Sequence, residues 1–552
     1  MFRAGGSRSS LKPASGSGSM RVHSHRAPDQ ALPFAPPNAI KVPSPAGWKK
    51  LVLMQEISKT LKSVSSTLVE RFIETTYRFS EQPSLNEGNF RPVNEIGEAV
   101  VLNDLSGEVP EDFPEGVYIR NGPNPLHPTQ TIADSMFGST SYMYYEGHGM
   151  LHAMYFNKSS LGEWKISFGK AVKDSANTNI FEHAGRAFAV TENHLPYEID
   201  INNLNTLGPY SINGAWDQPF TSHPKKIQGS GDLVIMGTNT EKPHYVLGVI
   251  SSDGERLLHK VDLKFEEGKL IHDIGVTTKY NIILDYPLRF GISRTFVQKP
   301  FIENDMNGKS RIGVMPRFGD ADSIIWFHVA NHCSYHLFNC FEDGNEVVVR
   351  GCRLLGSIIP SDRHRVNKSK WYGRAFLQPD QESEDFDPAL DGILFSRPYE
   401  WRLDLERGTT NEGVDSLATS KTGLFKFKMI AKLHFDMPDK ENKNFISVEY
   451  HALKEKQFCS GVQFVAKESG IDEDDGWVVT YVHDEGTSIS QVYIIDAKRF
   501  TEEPVAKITL PQRVPYGFHG NYFHMAEDST RGDGAEEGTP ETTEEANAEE
   551  AH

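Results

Sequence analysis

The sequence predicts an all-β chain, and within that class a propeller, on three observations. From about residue 85 to 525, short apolar runs of strand length are cut by Gly, Pro, Asn and Asp, and helical periodicities between them are scarce. The 46 Gly, 31 Pro and 11% aromatic residues suit a turn-rich β fold better than a helical bundle or a disordered chain. A region this long, built from many short strands, fits a propeller better than a string of sandwiches. No exact internal repeat marks the blades, so spacing alone does not give their number.

The elements follow in order. Residues 1–47 form a leader in which Arg3, Arg8, Lys12, Arg21 and Arg26 precede the first acid, Asp29, and a Pro-rich linker runs from Pro33 to Pro45. That composition fits an organellar transit peptide or a plain disordered leader. Residues 48–75 predict the one clear helix. Leu51, Met54, Ile57, Leu61, Val64, Leu68 and Phe72 recur at steps of three and four, with Lys49, Lys50, Lys59 and Lys62 on or beside the polar side. Such a stripe either lies in a membrane surface or packs on the domain behind it. The propeller domain spans 85–525, with strands expected in 232–239, 244–255, 280–287, 345–352, 476–486 and 490–499. Residues 526–552 hold ten acids and one arginine and are read as a disordered acidic tail carrying half of the net charge of −18.

Composition excludes several function classes. With 24% charged residues and a mean hydropathy of −0.46, no apolar run is long enough for a membrane-spanning helix. The acidic balance argues against nucleic acid as partner, since phosphate binding needs a basic surface. Cys333, Cys340, Cys352 and Cys459 form no C-x-x-C pair, which favours a reducing compartment over a disulfide framework. The N-x-S sequons at Asn157 and Asn367 follow no secretory signal and carry little weight. The nucleophile elbow, phosphate loop, dinucleotide fingerprint and H-E-x-x-H motif are all absent.

What remains is histidine. Among 21 in the chain, His223, His272, His336 and His519 sit in apolar strands or beside Gly and Pro. Taken singly, each reads as a hydrogen-bonded core or turn residue; together they suggest a metal site. Cys333, His332, His336 and Cys340 lack the spacing of a zinc knuckle. The acidic run Asp472–Asp475 lacks the alternating ligands of a Ca2+ loop and reads as a solvated turn.

From residue 95 to 523 the chain resembles the carotenoid cleavage dioxygenase family, plant branch. The resemblance rests on VYIRNGPNP at 117–125, YYEGHGMLHA at 144–153, the four histidine contexts in order, and EDDGWVVTYVHDE followed by LPQRVPYGFHG. It implies a seven-bladed β-propeller whose helical and loop insertions form a cap over one face. It also implies one Fe(II) on the axis, held by His223, His272, His336 and His519. Tyr335, His336, Asn339 and Glu342 match the family pattern around the third ligand, which favours His336 over the nearby His328 and His332. Four neutral imidazoles suit Fe(II) and leave positions for O2 and substrate. Glu192 matches the first of three family glutamates that hold ligand imidazoles from outside.

The implied activity is oxidative cleavage of a conjugated double bond in a carotenoid or apocarotenoid, giving two carbonyl products. The implied setting is a plastid, with the cytoplasm as alternative and peripheral membrane contact through helix 48–73. Three departures bear on this. Gly461 stands where the family's third glutamate is expected; the segment between RLDL (402–405) and IAKLHF (430–435) is too short to carry the second; and His148 replaces an acid. The expectation is a weakened metal site, or a catalytically impaired propeller that binds an apocarotenoid or a protein partner.

Overall fold

A computed structural model of the chain describes residues 77–82, 88–124, 130–135, 138–140, 147–157, 160–168, 176–290, 302–305, 308–357, 375, 386–387, 391–414, 426–435 and 447–525. The leader, the 48–75 helix and the acidic tail lie outside the described residues. No described helix is long and apolar enough to cross a membrane.

The expected strand runs form strands: Leu233–Thr238, Tyr245–Ile250, Tyr280–Asp285, Glu346–Arg353, Gly476–Asp484 and Ile489–Asp496. Their β-branched and aromatic residues fill pleated surfaces buried on both sides, as Val347, Val348 and Val349 show with no exposed area. At the Asp343–Gly344 turn, Gly344 has φ +59, which a side chain would adopt only with strain.

Seven of the sheets follow one another along the chain as propeller blades. The first blade comprises Asn179–His183, Arg186–Val190, Tyr197–Ile199 and Thr206–Pro209; the second, Lys225–Lys226, Leu233–Thr238, Tyr245–Ile250 and Leu257–Asp262. The third has Gly275–Val276, Tyr280–Asp285, Ser310–Pro316 and Ile325–Val329; the fourth, Leu337–Asp343, Glu346–Arg353, Arg397–Asp404 and Thr409–Val414. The fifth has two described strands, Met429–His434 and Ser447–Ala452. The sixth combines Gln457–Ala466, Gly476–Asp484, Ile489–Asp496 and Ala506–Thr509 with Leu105–Gly107. In the seventh, Gly520–His524 pairs antiparallel with Gly116–Asn124, placing Gly520 opposite Arg120, so the two ends of the domain close the ring. The described residues also include two further three-stranded sheets, one containing Tyr77–Gln82 and one containing Leu288–Phe290, and Ala375 is helical.

The core is a series of clusters between neighbouring blades. Phe188, Trp216 and Ile235 join the first and second; Val234, Ile283, Val314, Val349 and Trp401 run through the second, third and fourth; Ile430 and Ile495 join the fifth and sixth. Among the described residues no buried cluster bridges the fourth and fifth. Described contacts between these two include half-exposed Phe338 and Phe435, with ring centroids 6.0 Å apart, and Arg350, 4.1 Å above the Phe435 ring.

Candidate metal centre

Each candidate histidine stands at the entry to the innermost strand of a blade. His223 precedes Lys225–Lys226, His272 precedes Gly275–Val276, His336 abuts Leu337–Asp343 and His519 abuts Gly520–His524. Blades two, three, four and seven therefore deliver one imidazole each, from positions 49, 64 and 183 residues apart along the chain.

The four converge. One ring nitrogen from each lies within 4.8 Å of the others, and His223 Nε2 is 3.0 Å from His272 Nε2. The His223 ring centroid is 4.7, 4.9 and 4.6 Å from those of His272, His336 and His519, all edge-on. No second group of three metal-ligating side chains occurs among the described residues.

Electrostatics keeps most of the cluster neutral. Burial, then the neighbouring imidazoles, pulls His223 and His336 well below the ordinary histidine range, and the same causes bring His519 to about 4. Three rings thus offer lone pairs at neutral pH. His272 differs: burial pulls it down, but the charge of Glu192 and the hydrogen bond to it outweigh this and raise it. Burial pushes the Glu192 carboxyl up, and the same partnership brings it to about 2. Glu192 Oε1 sits directly against His272 Nδ1, so Nδ1–H donates outward and the Nε2 lone pair faces the cluster. Among the described residues no carboxylate lies against the other three imidazoles.

The nearby alternatives are placed elsewhere. His332 stacks on Trp401 with centroids 5.0 Å apart, and its Nδ1 meets the Ala330 carbonyl; His328 is exposed. Glu342 accepts from Thr277 Oγ1 at 2.6 Å and Lys279 N at 2.8 Å, on the third blade. The acidic run is a lysine-bound turn: Lys498 reaches Asp472 and Asp475 at 2.8 and 2.5 Å, and Lys432 reaches Asp474 at 2.7 Å. A cavity of about 430 Å³ between the third blade and its insertion is lined by more basic than acidic residues, with Asp285 holding Lys269 and Arg311, and Asp305 holding Arg289.

Gly461 has φ +68, and a Cβ there would come within 2.6 Å of Arg120 Cγ and 3.0 Å of the Tyr118 hydroxyl. Buried Arg120, which donates to Ser460 Oγ and the Pro515 carbonyl at 2.7 Å each, fills the space a side chain at 461 would need. Sequence reasoning missed Lys225 and Asp273, a salt bridge beside the cluster; their signal was a charged residue one or two places after a ligand candidate.

Comparison with known proteins agrees with this architecture. Carotenoid 9,10(9',10')-cleavage dioxygenase 1 of Pisum sativum is 28% identical, the alignment covering 85% of this chain and 95% of the relative. The crystal structure of Pseudomonas brassicacearum lignostilbene dioxygenase superposes with a TM-score of 0.63 at 19% identity, covering 80% of this chain and 98% of that one. A cobalt-substituted Synechocystis oxygenase superposes with a TM-score of 0.61 at 18% identity, covering 79% and 98%. The sequence profile of the retinal pigment epithelial membrane protein family, RPE65, matches residues 90–170, 157–438 and 414–524. Because that match runs through every blade and all four histidines, the chain belongs to the RPE65 family.

Proposed function

We propose that this chain is an Fe(II)-dependent dioxygenase that cleaves a conjugated double bond of a carotenoid or apocarotenoid with O2. The observation that carries the reading is the meeting of four buried imidazoles, from four blades, with their ring nitrogens within 4.8 Å of one another. An all-nitrogen donor set with lone pairs available at neutral pH fits Fe(II). When bound, Fe(II) supplies the redox chemistry that activates O2 beside the polyene.

The chain's own residues do the positioning. Glu192 fixes the tautomer and orientation of His272, while His223, His336 and His519 stay neutral because burial and their neighbours disfavour a second charge. The reaction breaks one C=C bond, and each carbon takes one oxygen atom of O2 as a carbonyl. No proton is gained or lost overall, so no side-chain base is required.

The 9,10 (9',10') bond is the one named for the pea relative, which supports that position in this chain. The basic leader supports a plastid location, with the cytoplasm as alternative, and the 48–73 stripe supports peripheral membrane contact.

The test is bound iron in the purified protein together with O2-dependent loss of polyene absorbance. Both vanish in His272→Ala and His519→Ala if the reading holds; bleaching that survives either substitution sinks it. The short segment between residues 405 and 430 and Gly461 favour a second reading, a propeller that binds an apocarotenoid without cleaving it. Iron-free protein that still binds the polyene would support that alternative.

A further inference from the structure

Three of the four loops bearing the tetrad are tied together by one ion pair, between buried Asp273 and partly buried Lys225. Lys225 follows His223 by two residues, Asp273 follows His272 directly, and Leu337 follows His336 directly. Lys225 Nζ lies 3.0 Å from Asp273 Oδ1 and 3.1 Å from Oδ2, and it donates to the Leu337 carbonyl at 3.1 Å. Asp273 Oδ2 accepts the Leu337 amide at 2.8 Å, and Oδ1 accepts the Ile274 amide at 2.7 Å. The second and third blades are joined further by a parallel bridge between His223 and Asp273 and by Thr221 Oγ1 donating to the His272 carbonyl at 3.0 Å.

Desolvating two charges roughly cancels their attraction unless other partners complete the geometry. Here they do, and the partners are the backbones that carry the ligands. The innermost strand of the fourth blade packs against that of the third, and the His336 carbonyl also accepts from Cys352 N at 2.8 Å within its own blade. His519 lies outside this device: its carbonyl accepts from Asn121 N at 2.8 Å and its amide approaches the Thr178 carbonyl at 3.4 Å.

We propose that Lys225 and Asp273 form a positioning pair that holds His223, His272 and His336 as one preorganised unit. The proposal rests on the reading of the tetrad as a metal centre. Neither residue contacts the reacting atoms; each acts through the main chain of a ligand.

The test uses the full chain, with Co(II) as probe, in wild type, Lys225→Met, Lys225→Arg and Asp273→Asn. Chelator competition gives the affinity, the visible ligand-field bands report the geometry, and thermal melting of the metal-free forms reports stability. Lys225→Met and Asp273→Asn are expected to lose about tenfold or more in Co(II) affinity and to shift the bands. Lys225→Arg, which keeps the charge, is expected to recover most of both. Variants that melt earlier yet bind Co(II) with unchanged affinity and bands overturn the proposal, leaving the pair structural only. If Asp273→Asn does not fold, the two Lys225 variants decide on the same readouts. Wild type that takes up no Co(II) overturns the metal-centre reading and the proposal with it, whereas tight binding by wild type and variants alike overturns the proposal alone.

Discussion

Glu192 carries the sharpest test of how this centre is tuned. It is the one carboxylate placed against a cluster imidazole among the described residues, and it does two things at once: it accepts the His272 Nδ1 proton and supplies a negative charge. Glu192→Gln keeps an amide oxygen to accept that proton and removes the charge; Glu192→Ala removes both. An outer carboxylate on a metal-bound imidazole is worth about 10- to 100-fold in metal affinity, or about 1.4 to 2.8 kcal/mol. The Gln variant should therefore lose about tenfold and the Ala variant approach 100-fold, since in the latter the ring is free to turn its Nε2 away from His223, now 3.0 Å distant. Anaerobic Fe(II) titration against a competing chelator reads these values directly. Fe(II) binding by Glu192→Ala as tight as wild type refutes the reasoning, and equal losses in the two variants would show that charge alone matters.

Four further outcomes are expected. Gly461→Ala should cost about 2 kcal/mol or more in urea denaturation, because a left-handed backbone alone costs about 1–2 kcal/mol and the new Cβ meets Arg120 Cγ at 2.6 Å. Trp401→Ala, deep in the cluster shared by the second, third and fourth blades, should cost about 3–5 kcal/mol by the same measurement. Burial, then Arg513, lowers His483 to about 4, so the folded state refuses a proton that the unfolded chain accepts near pH 6.5. Melting temperature should fall as the pH drops from about 6.5 toward 4, and His483→Gln should flatten that slope. Dialysis against a strong chelator should abolish O2-dependent bleaching, and Fe(II) alone should restore it.

The strands were legible because their apolar runs and turn residues are local signals. The run at 345–352 becomes Glu346–Arg353, and the one at 476–486 becomes Gly476–Asp484. The four histidines were a different matter. Periodicity gave each of them only as a plausible core residue, and ordered family motifs were needed to single them out, because their meeting depends on ring closure between residues as distant as 223 and 519. The Lys225–Asp273 pair was illegible for the same reason. It joins inner-strand ends of two blades, and no local pattern predicts which charged residues will face each other there. The small sheet in which Leu288–Phe290 and Ile302–Asn304 pair was equally illegible, since each run is only three residues long.

The placement of the departures explains how this chain can have lost family features and still assemble the tetrad. The ligands come from blades two, three, four and seven, and the Glu192 acceptor from the first. The shortened segment runs from the last strand of the fourth blade, Thr409–Val414, into the fifth blade, and Gly461 lies in the sixth. Neither departure removes a nitrogen of the tetrad. The expected phenotype is thus graded: a centre that forms, binds metal less tightly than one with three acidic partners, and leans on Glu192 and on the Lys225–Asp273 pair. Adding back a carboxylate at 461 should not reverse this, because Arg120 occupies the space and the backbone there is left-handed. Gly461→Glu is therefore expected to destabilise the fold rather than to tighten the metal, and a tighter metal site in that variant would show that Arg120 yields.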